Sequence, residues 1–342
     1  MGLKKDLTAS IHGRILSSPK KERFFISFSI YTLIKGVPNY ALFLCIFIIA
    51  NKLTMGGNFV VGKSLVGHAS PMTLTSLRWI IAIVCLLPIV WFKEKKLFPP
   101  RAAILPLLLM GITGVVLFNI FQFLALEETS ATNVGLISTL NAISIALFSS
   151  LFLKEKINIL QILSMILSFF GVILVLSKGN IALLFSLHFN SGDLWMMAAV
   201  CIWGIYSVCS KWATKTTTPM MATLYSGVFG VIILLPFNIP NFTVSHINAS
   251  FITSILYTGL ISTVVCMVFW NIGVQKLGAT TSGIFLNFNP IFTAVLAFLF
   301  LGEELTWIQI FGTIIVVTGC YLFSHFKTVA HQPSQTLVRQ HS

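Results

Sequence analysis

The chain has 342 residues, 56% of them hydrophobic and only 9% charged, which is too apolar for a soluble core of this size. Its formal charge of +13 does not point to nucleic acid. The basic residues sit in the tails and in short breaks between apolar runs, where orientation signals belong. No stretch is left for a large water-facing domain.

A spanning helix needs about 20 mostly apolar residues. The N-terminal segment 1–36 carries Lys20, Lys21 and Arg23 ahead of a short apolar run, Phe24–Ile34. No small-residue cleavage site follows, so it reads as a basic cytoplasmic tail with an interfacial run rather than a signal peptide. Ten spans are then predicted, over 37–62, 70–92, 103–126, 131–152, 158–177, 193–212, 219–237, 250–274, 279–301 and 306–326,. Pro99-Pro100, Gly192-Asp193 and the stretch from Asn238 to Pro240 punctuate them,. Residues 327–342 form a second tail. Cys45, Cys85, Cys201, Cys209, Cys266 and Cys320 all fall inside spans without metal or disulfide spacing, so they read as small packing residues. No metal and no cofactor are expected.

The sequence repeats itself at a separation of 148 residues, as Gly56 stands from Gly204. In the same register Lys63 meets Lys211, and Pro71-Met72 meets Pro219-Met220. Leu86-Leu87-Pro88 meets Leu234-Leu235-Pro236, and Gly111 meets Gly259. Further on, Asn141 meets Asn289, Glu155 meets Glu303, Gln161 meets Gln309 and Gly171 meets Gly319. Apolar bias does not align Gly, Pro, Lys, Asn, Glu and Gln together. The repeats occupy 37–178 and 192–326. Five spans is an odd number, so the second copy enters the membrane from the opposite side, an architecture found among secondary transporters. Charge agrees: Lys93, Lys95, Lys96, Arg101, Lys154, Lys156, Lys211, Lys215 and Lys276 fall on the side of both tails, the cytoplasm, while Lys63 and Lys178 fall outside,. The expected fold is an all-α integral membrane protein, ten transmembrane helices in two inverted five-helix repeats, with both termini cytoplasmic.

Polar residues inside spans are the candidate site, because each needs a partner in a medium without water. Asn141 and its mate Asn289, which precedes Pro290, read either as substrate contacts near a kink or as interhelical glue,. Asn119 and Gln122 share a helix face and read as ligand amides or as packing,. Asn58 follows Gly56-Gly57, and its mate Tyr206 lies one turn after Trp203; the rings suit an amphipathic metabolite or plain packing,. Trp270-Asn271 sits toward the cytoplasmic end, where Trp270 reads as a site residue or as an interfacial anchor,. Arg78 lies roughly 10 Å into its span at 1.5 Å per residue. It either binds a substrate carboxylate or phosphate, or is a structural Arg bonded to helix ends or snorkelling. Lys52, near the middle of the first span, either snorkels, faces the cavity or marks a span boundary that lies elsewhere,. No Asp, Glu or His lies at mid-depth, which disfavours organic cations and leaves no proton-coupling residue. It also leaves nothing for an integral-membrane enzyme, which needs clustered nucleophiles, metal ligands or paired carboxylates. Ser164, Ser168, Gly171, Gly312 and Gly319 form small-residue faces for close packing in the bundle or for a homodimer contact,.

Met55-Gly56-Gly57-Asn58 with Lys63, Pro71 and Leu77-Arg78-Trp79 resembles the opening of an EamA-type repeat of the drug/metabolite transporter superfamily. Trp203-Gly204 with Lys211 and Pro219 resembles the second opening. Leu153-Lys154-Glu155 and Leu301-Gly302-Glu303 resemble the family's Leu-Gly-Glu signature. The likeness spans about residues 40 to 325. It departs at Met55, where the family usually has Trp, and at Ser226, the mate of Arg78. The resemblance implies a central cavity between inverted halves, a bacterial plasma-membrane location and export of amino acids or related metabolites. Other members move drugs, nucleotide sugars or sugar phosphates. Its expected partners are a small-molecule substrate and membrane lipids.

Overall fold

The computed structural model describes residues 57–95, 98–177, 190–289, 291–292 and 306–330, all within one compact unit, Ile48–Ser342. The N-terminal tail with Phe24–Ile34, most of the first span with Lys52 and Met55, the second half of the ninth span with Glu303, and residues 331–342 lie outside the described residues. Twelve α-helices lie wholly within the described residues, and residues 57–65 are the described end of a further one. In the first repeat they are α1 (Pro71–Glu94), α2 (Arg101–Met110), α3 (Phe118–Glu128), α4 (Ala131–Ser138), α5 (Asn141–Leu153) and α6 (Ile159–Ser177). In the second they are α7 (Ser191–Ala213), α8 (Pro219–Asn238), α9 (Ala249–Leu256), α10 (Cys266–Leu277), α11 (Ala279–Ile284) and α12 (Trp307–Ala330). No strand occurs among the described residues; a single isolated bridge joins Ala69 to Val244.

Among the described residues, seven helical segments are long and apolar enough to cross a membrane: α1, Arg101–Glu128, Asn133–Leu153, α7, α8, Ala249–Leu277 and Trp307–Phe326. Ile159–Val175 is a shorter apolar helix. Each long helix exposes large apolar side chains on its outer face, as a lipid-immersed bundle requires,. In α1 the inner face runs Leu74, Arg78, Ala82, Leu86 and Val90, all buried at a spacing of four, while Ile80, Val84, Leu87 and Trp91 are exposed.

Equivalent residues of the two repeats build equivalent local structure. Ser70 caps α1 by accepting from the Thr73 N–H, with Pro71 in the first turn; Thr218 caps α8 by accepting from the Met221 N–H, with Pro219 in the first turn,. The Asn158–Gln161 pair exchanges reciprocal cap bonds, and Thr306–Gln309 does the same,. The third span of each repeat carries a π-helical stretch, Gly111–Leu117 between α2 and α3 and Tyr257–Val265 between α9 and α10.

The fourth and ninth spans are both interrupted. The first breaks at the turn Thr139–Leu140 between α4 and α5, and the second in a 3-10 turn, Phe285–Phe288, after α11. A kink at Pro290 is therefore not what the two have in common. The break lies upstream of that proline, and its counterpart between α4 and α5 contains no proline at all.

Helix ends meet in two separate groups. In one group the Ser245 N–H donates to the His68 carbonyl at 2.7 Å, and Lys63 Nζ donates to the Thr129 carbonyl at 3.0 Å and to that of Leu126. Thr129 Oγ1 donates to Asp193 at 3.0 Å, and Gln309 Nε2 donates to the Val175 carbonyl at 3.5 Å. In the other group Thr218 bonds Glu94, Thr280 bonds Glu155, and Lys211 Nζ donates to the Val274 and Gln275 carbonyls at 3.1 and 2.9 Å. Asn158 Nδ2 donates there to the Phe326 carbonyl at 3.4 Å. The start of α1 thus lies in the first group and the start of its mate α8 in the second. Lys63 and Lys211 do one job at opposite ends: each places an ammonium on the carbonyls that end the third helix of its repeat, where the helix dipole favours a cation.

The small-residue faces meet within the chain. A Cβ on Gly171 would lie 2.8 Å from the Gly312 carbonyl oxygen and the Val316 nitrogen, and one on Gly319 would lie 2.7 Å from the Ser168 nitrogen. Helices α6 and α12 therefore pack backbone to backbone through residues of matching repeat position. Gly171→Leu is expected to lower the thermal unfolding temperature of the purified protein, costing about 1–3 kcal/mol through overpacking. Ile166→Leu on the exposed side of the same helix, 60% accessible, is expected to leave it unchanged.

Candidate functional site

Arg78 sits two turns into α1, and its side chain does not reach toward water: the residue is 5% exposed. The snorkelling reading is thereby overturned. Its Nε donates to Thr263 Oγ1 at 3.0 Å, one Nη to Asn119 Oδ1 at 2.9 Å, and the other to Ser262 Oγ at 3.4 Å. Ser262 Oγ in turn donates to Asn58 Oδ1 at 2.7 Å. All five residues are buried. A cation at the centre of a bilayer costs about 2.5–3.5 kcal/mol on insertion scales. Here every described partner of the guanidinium is neutral.

Two partners of Arg78, Ser262 and Thr263, lie in the second π-helical stretch, and the third, Asn119, in the first turn of the helix that follows the other; the reason is local. A π turn widens the helix and releases carbonyls from the usual i−4 pattern. Asn119 Nδ2 donates to the Gly114 and Val115 carbonyls at 2.8 and 2.9 Å, and Thr263 Oγ1 donates to the Thr258 carbonyl at 2.7 Å. Each plugging side chain then offers its oxygen to the guanidinium. Arg78 ties the widened turn of one repeat to that of the other. Glycines allow the approach: a Cβ on Gly111 would lie 2.9 Å from the Ser226 carbonyl, and one on Gly259 would lie 3.2 Å from the Arg78 carbonyl.

A second polar knot lies in the other repeat. Asn271, fully buried, accepts at Oδ1 from Tyr206 Oη at 3.1 Å and Ser210 Oγ at 2.6 Å, and donates from Nδ2 to Thr223 Oγ1 at 2.9 Å. It joins α7, α8 and α10. Above it stands an aromatic wall. Trp203 lies 4.6 Å from Phe118, 4.9 Å from Tyr206 and 5.4 Å from Trp270, measured between ring centroids. Trp270 is 2% exposed, which rules out the interfacial-anchor reading. Wall and guanidinium cluster touch through one turn of helix. Gly114, whose carbonyl accepts from Asn119, packs its α-carbon against the Tyr206 ring, so no larger residue fits there.

Of the residues expected to form the site, Asn58, Arg78 and Asn119 come together in one cluster, and Trp203, Tyr206, Trp270 and Asn271 in the adjoining one. Gln122 does not join either. It is 1% exposed, and neither its Oε1 nor its Nε2 has a hydrogen-bond partner among the described residues. Asn141 opens α5 just after the break, with its Oδ1 likewise unbonded among the described residues. Asn289 directly follows the 3-10 turn and is half-buried. Ser262, Thr263, Thr223 and Ser210 are not singled out by the sequence. Hydroxyls in membrane helices usually bond their own backbone, and nothing in their spacing marks these four as exceptions.

An all-helical, multi-pass bundle with matched repeats and a buried polar centre defines the class of membrane transporters. The sequence matches the EamA-like transporter family twice, over residues 42–177 and 190–325. The chain belongs to that family. The uncharacterized transporter YyaM of Bacillus subtilis is 28% identical over 80% of this chain and 91% of its own length. An uncharacterized transporter of Archaeoglobus fulgidus is 28% identical over 79% of this chain and 93% of its own. A solved crystal structure superposes with a TM-score of 0.67 at 17% identity, covering 86% of this chain and all of that one, which shows the fold alone.

Asn119 and Gln122 share a helix face but differ in bonding, and their leucine variants separate the two. Asn119→Leu strips a donor and an acceptor from the Arg78 cluster and is expected to cost about 1–3 kcal/mol of stability. Gln122→Leu removes an unbonded buried amide and is expected to be neutral or stabilising. Thermal unfolding of both variants in one detergent measures the contrast.

Proposed function

We propose that this protein is a ten-span secondary transporter of two inverted five-helix repeats, exporting amino acids or related compounds across the plasma membrane of a bacterium by alternating access. The observation that carries the reading is the pair of adjoining buried clusters where the repeats meet, one polar around Arg78 and one aromatic around Trp203. A ligand with a polar head and an apolar body fits between such surfaces. The two groups of helix ends support the inversion. One of them gathers Glu94, Glu155 and the lysines 93, 95, 154, 156, 211 and 215, so we assign it to the cytoplasm with both chain termini.

Geometry suggests how access alternates. Asn58, Arg78, Asn119, Trp203, Tyr206, Trp270 and Asn271 are all buried, an occluded arrangement. The broken fourth and ninth spans lie at equivalent repeat positions, and in such folds discontinuous helices line the substrate site while one repeat rocks against the other around it. Opening toward one face separates one group of end contacts while the other holds. The polar centre keeps one repeat registered on the other throughout.

Proteoliposomes containing the protein and preloaded with a panel of labelled amino acids and their derivatives test the reading. Efflux of at least one of them is expected to exceed that from empty liposomes, and Trp203→Ala is expected to slow it by roughly tenfold. No accelerated flux in either direction across a broad panel would overturn it.

A further inference from the structure

The charge inventory of the buried centre says more about the solute than its shape does. Arg78 carries the fixed charge of the described interior, and its three described partners Asn119, Ser262 and Thr263 are neutral. A guanidinium has five N–H donors, so two remain beyond the three bonds described. The nine acidic residues of the chain are Asp6, Glu22, Glu94, Glu127, Glu128, Glu155, Asp193, Glu303 and Glu304, and none lies in the middle of an apolar run. Asp193, the buried one among the described residues, is committed to the N-cap of α7 and to Thr129.

A free amino acid brings a carboxylate and an ammonium together. Its carboxylate would neutralise Arg78, but its ammonium would then stand in the low-dielectric interior without an opposite charge. Among the acceptors of the two clusters, Asn271 Oδ1 takes two hydroxyls, Asn119 Oδ1 takes Arg78, and Asn58 Oδ1 takes Ser262; the open acceptors nearby, Gln122 Oε1 and Asn141 Oδ1, are neutral amides that supply no opposite charge. A solute with a carboxylate and no charged amine leaves the site electrically neutral. We infer that the transported compound binds as a net anion, its carboxylate on Arg78 and its apolar body on Trp203 and Trp270. Acylated or deaminated relatives of amino acids with large side chains are the class that fits. The carboxylate takes over the weakest of the guanidinium contacts, the 3.4 Å bond to Ser262, which loosens Asn58 from the cluster. This rests on the transport reading given above.

Three compounds with one benzyl group and different charge make the test: N-acetylphenylalanine as the anion, phenylalanine as the zwitterion and 2-phenylethylamine as the cation. Flux of each is measured at neutral pH in proteoliposomes against empty liposomes, for the wild type, R78K and R78Q. The anion is expected to move faster than the zwitterion by roughly tenfold or more, as a charge-assisted pairing with Arg78 requires. R78Q is expected to abolish that preference and R78K to retain part of it. Thermal shift with each compound gives the same ranking for any variant that folds but does not transport. Phenylalanine moving as fast as its acetyl derivative, or R78Q keeping the preference, overturns the inference. Flux confined to solutes without a carboxylate overturns it too while leaving the transport reading intact, whereas no flux of any solute in a broad panel removes both.

Discussion

A guanidinium inside a lipid-immersed bundle must have its donors met by protein atoms, because the surrounding medium offers none. Around Arg78 three of the five donors are met by described side chains, Ser262 and the pair Asn119 and Thr263, the pair each already plugging a π turn in a different repeat,. The arrangement couples three features that are otherwise separate. The π turns need a donor for their released carbonyls, the plugging side chains have an oxygen left over, and the guanidinium needs neutral acceptors that leave room for an anion. Substituting any one of them exposes the others.

The two halves are not chemical copies. Arg78 corresponds to Ser226, Asn58 to Tyr206 and Gln122 to Trp270. Structural devices are duplicated: the serine and threonine caps, the reciprocal Gln caps, the lysines on helix ends, the π stretches and the interrupted fourth and ninth spans. The chemistry at the centre is divided, with the charge of Arg78 and the amides Asn58 and Asn119 in the first repeat, and the rings of Trp203, Tyr206 and Trp270 together with the amide Asn271 in the second. Duplication supplies the scaffold, and divergence at a few inward positions supplies a site with a polar and an apolar side.

Much of this was legible in the sequence because the signals are periodic or costly. Apolar runs mark spans by length alone, and the 148-residue register aligns residues whose structural roles then coincide, Lys63 with Lys211 above all. Arg78, Asn119 and Asn271 stand out because charges and amides are rare in lipid. What stayed hidden carries no such mark. The π turns have no sequence signature beyond the glycines that pack beside them, and the break at Thr139–Leu140 falls in a stretch without proline. The hydroxyls of Ser262 and Thr263 look like any others until the backbone is widened next to them. Trp270, read from its place near the end of a run, lies instead at the heart of the aromatic wall because α10 continues well beyond it.

The central claim is that equivalent ends of the two repeats lie on opposite faces of the membrane. Lys95 and Thr243 occupy the same repeat position, and both are exposed. Single cysteines placed there, in a variant stripped of the six native cysteines, can be probed in intact cells with a membrane-impermeant thiol reagent. The account predicts that the cysteine at 243 is labelled from outside and the one at 95 only after the cells are opened. Labelling of both from the same face would contradict it.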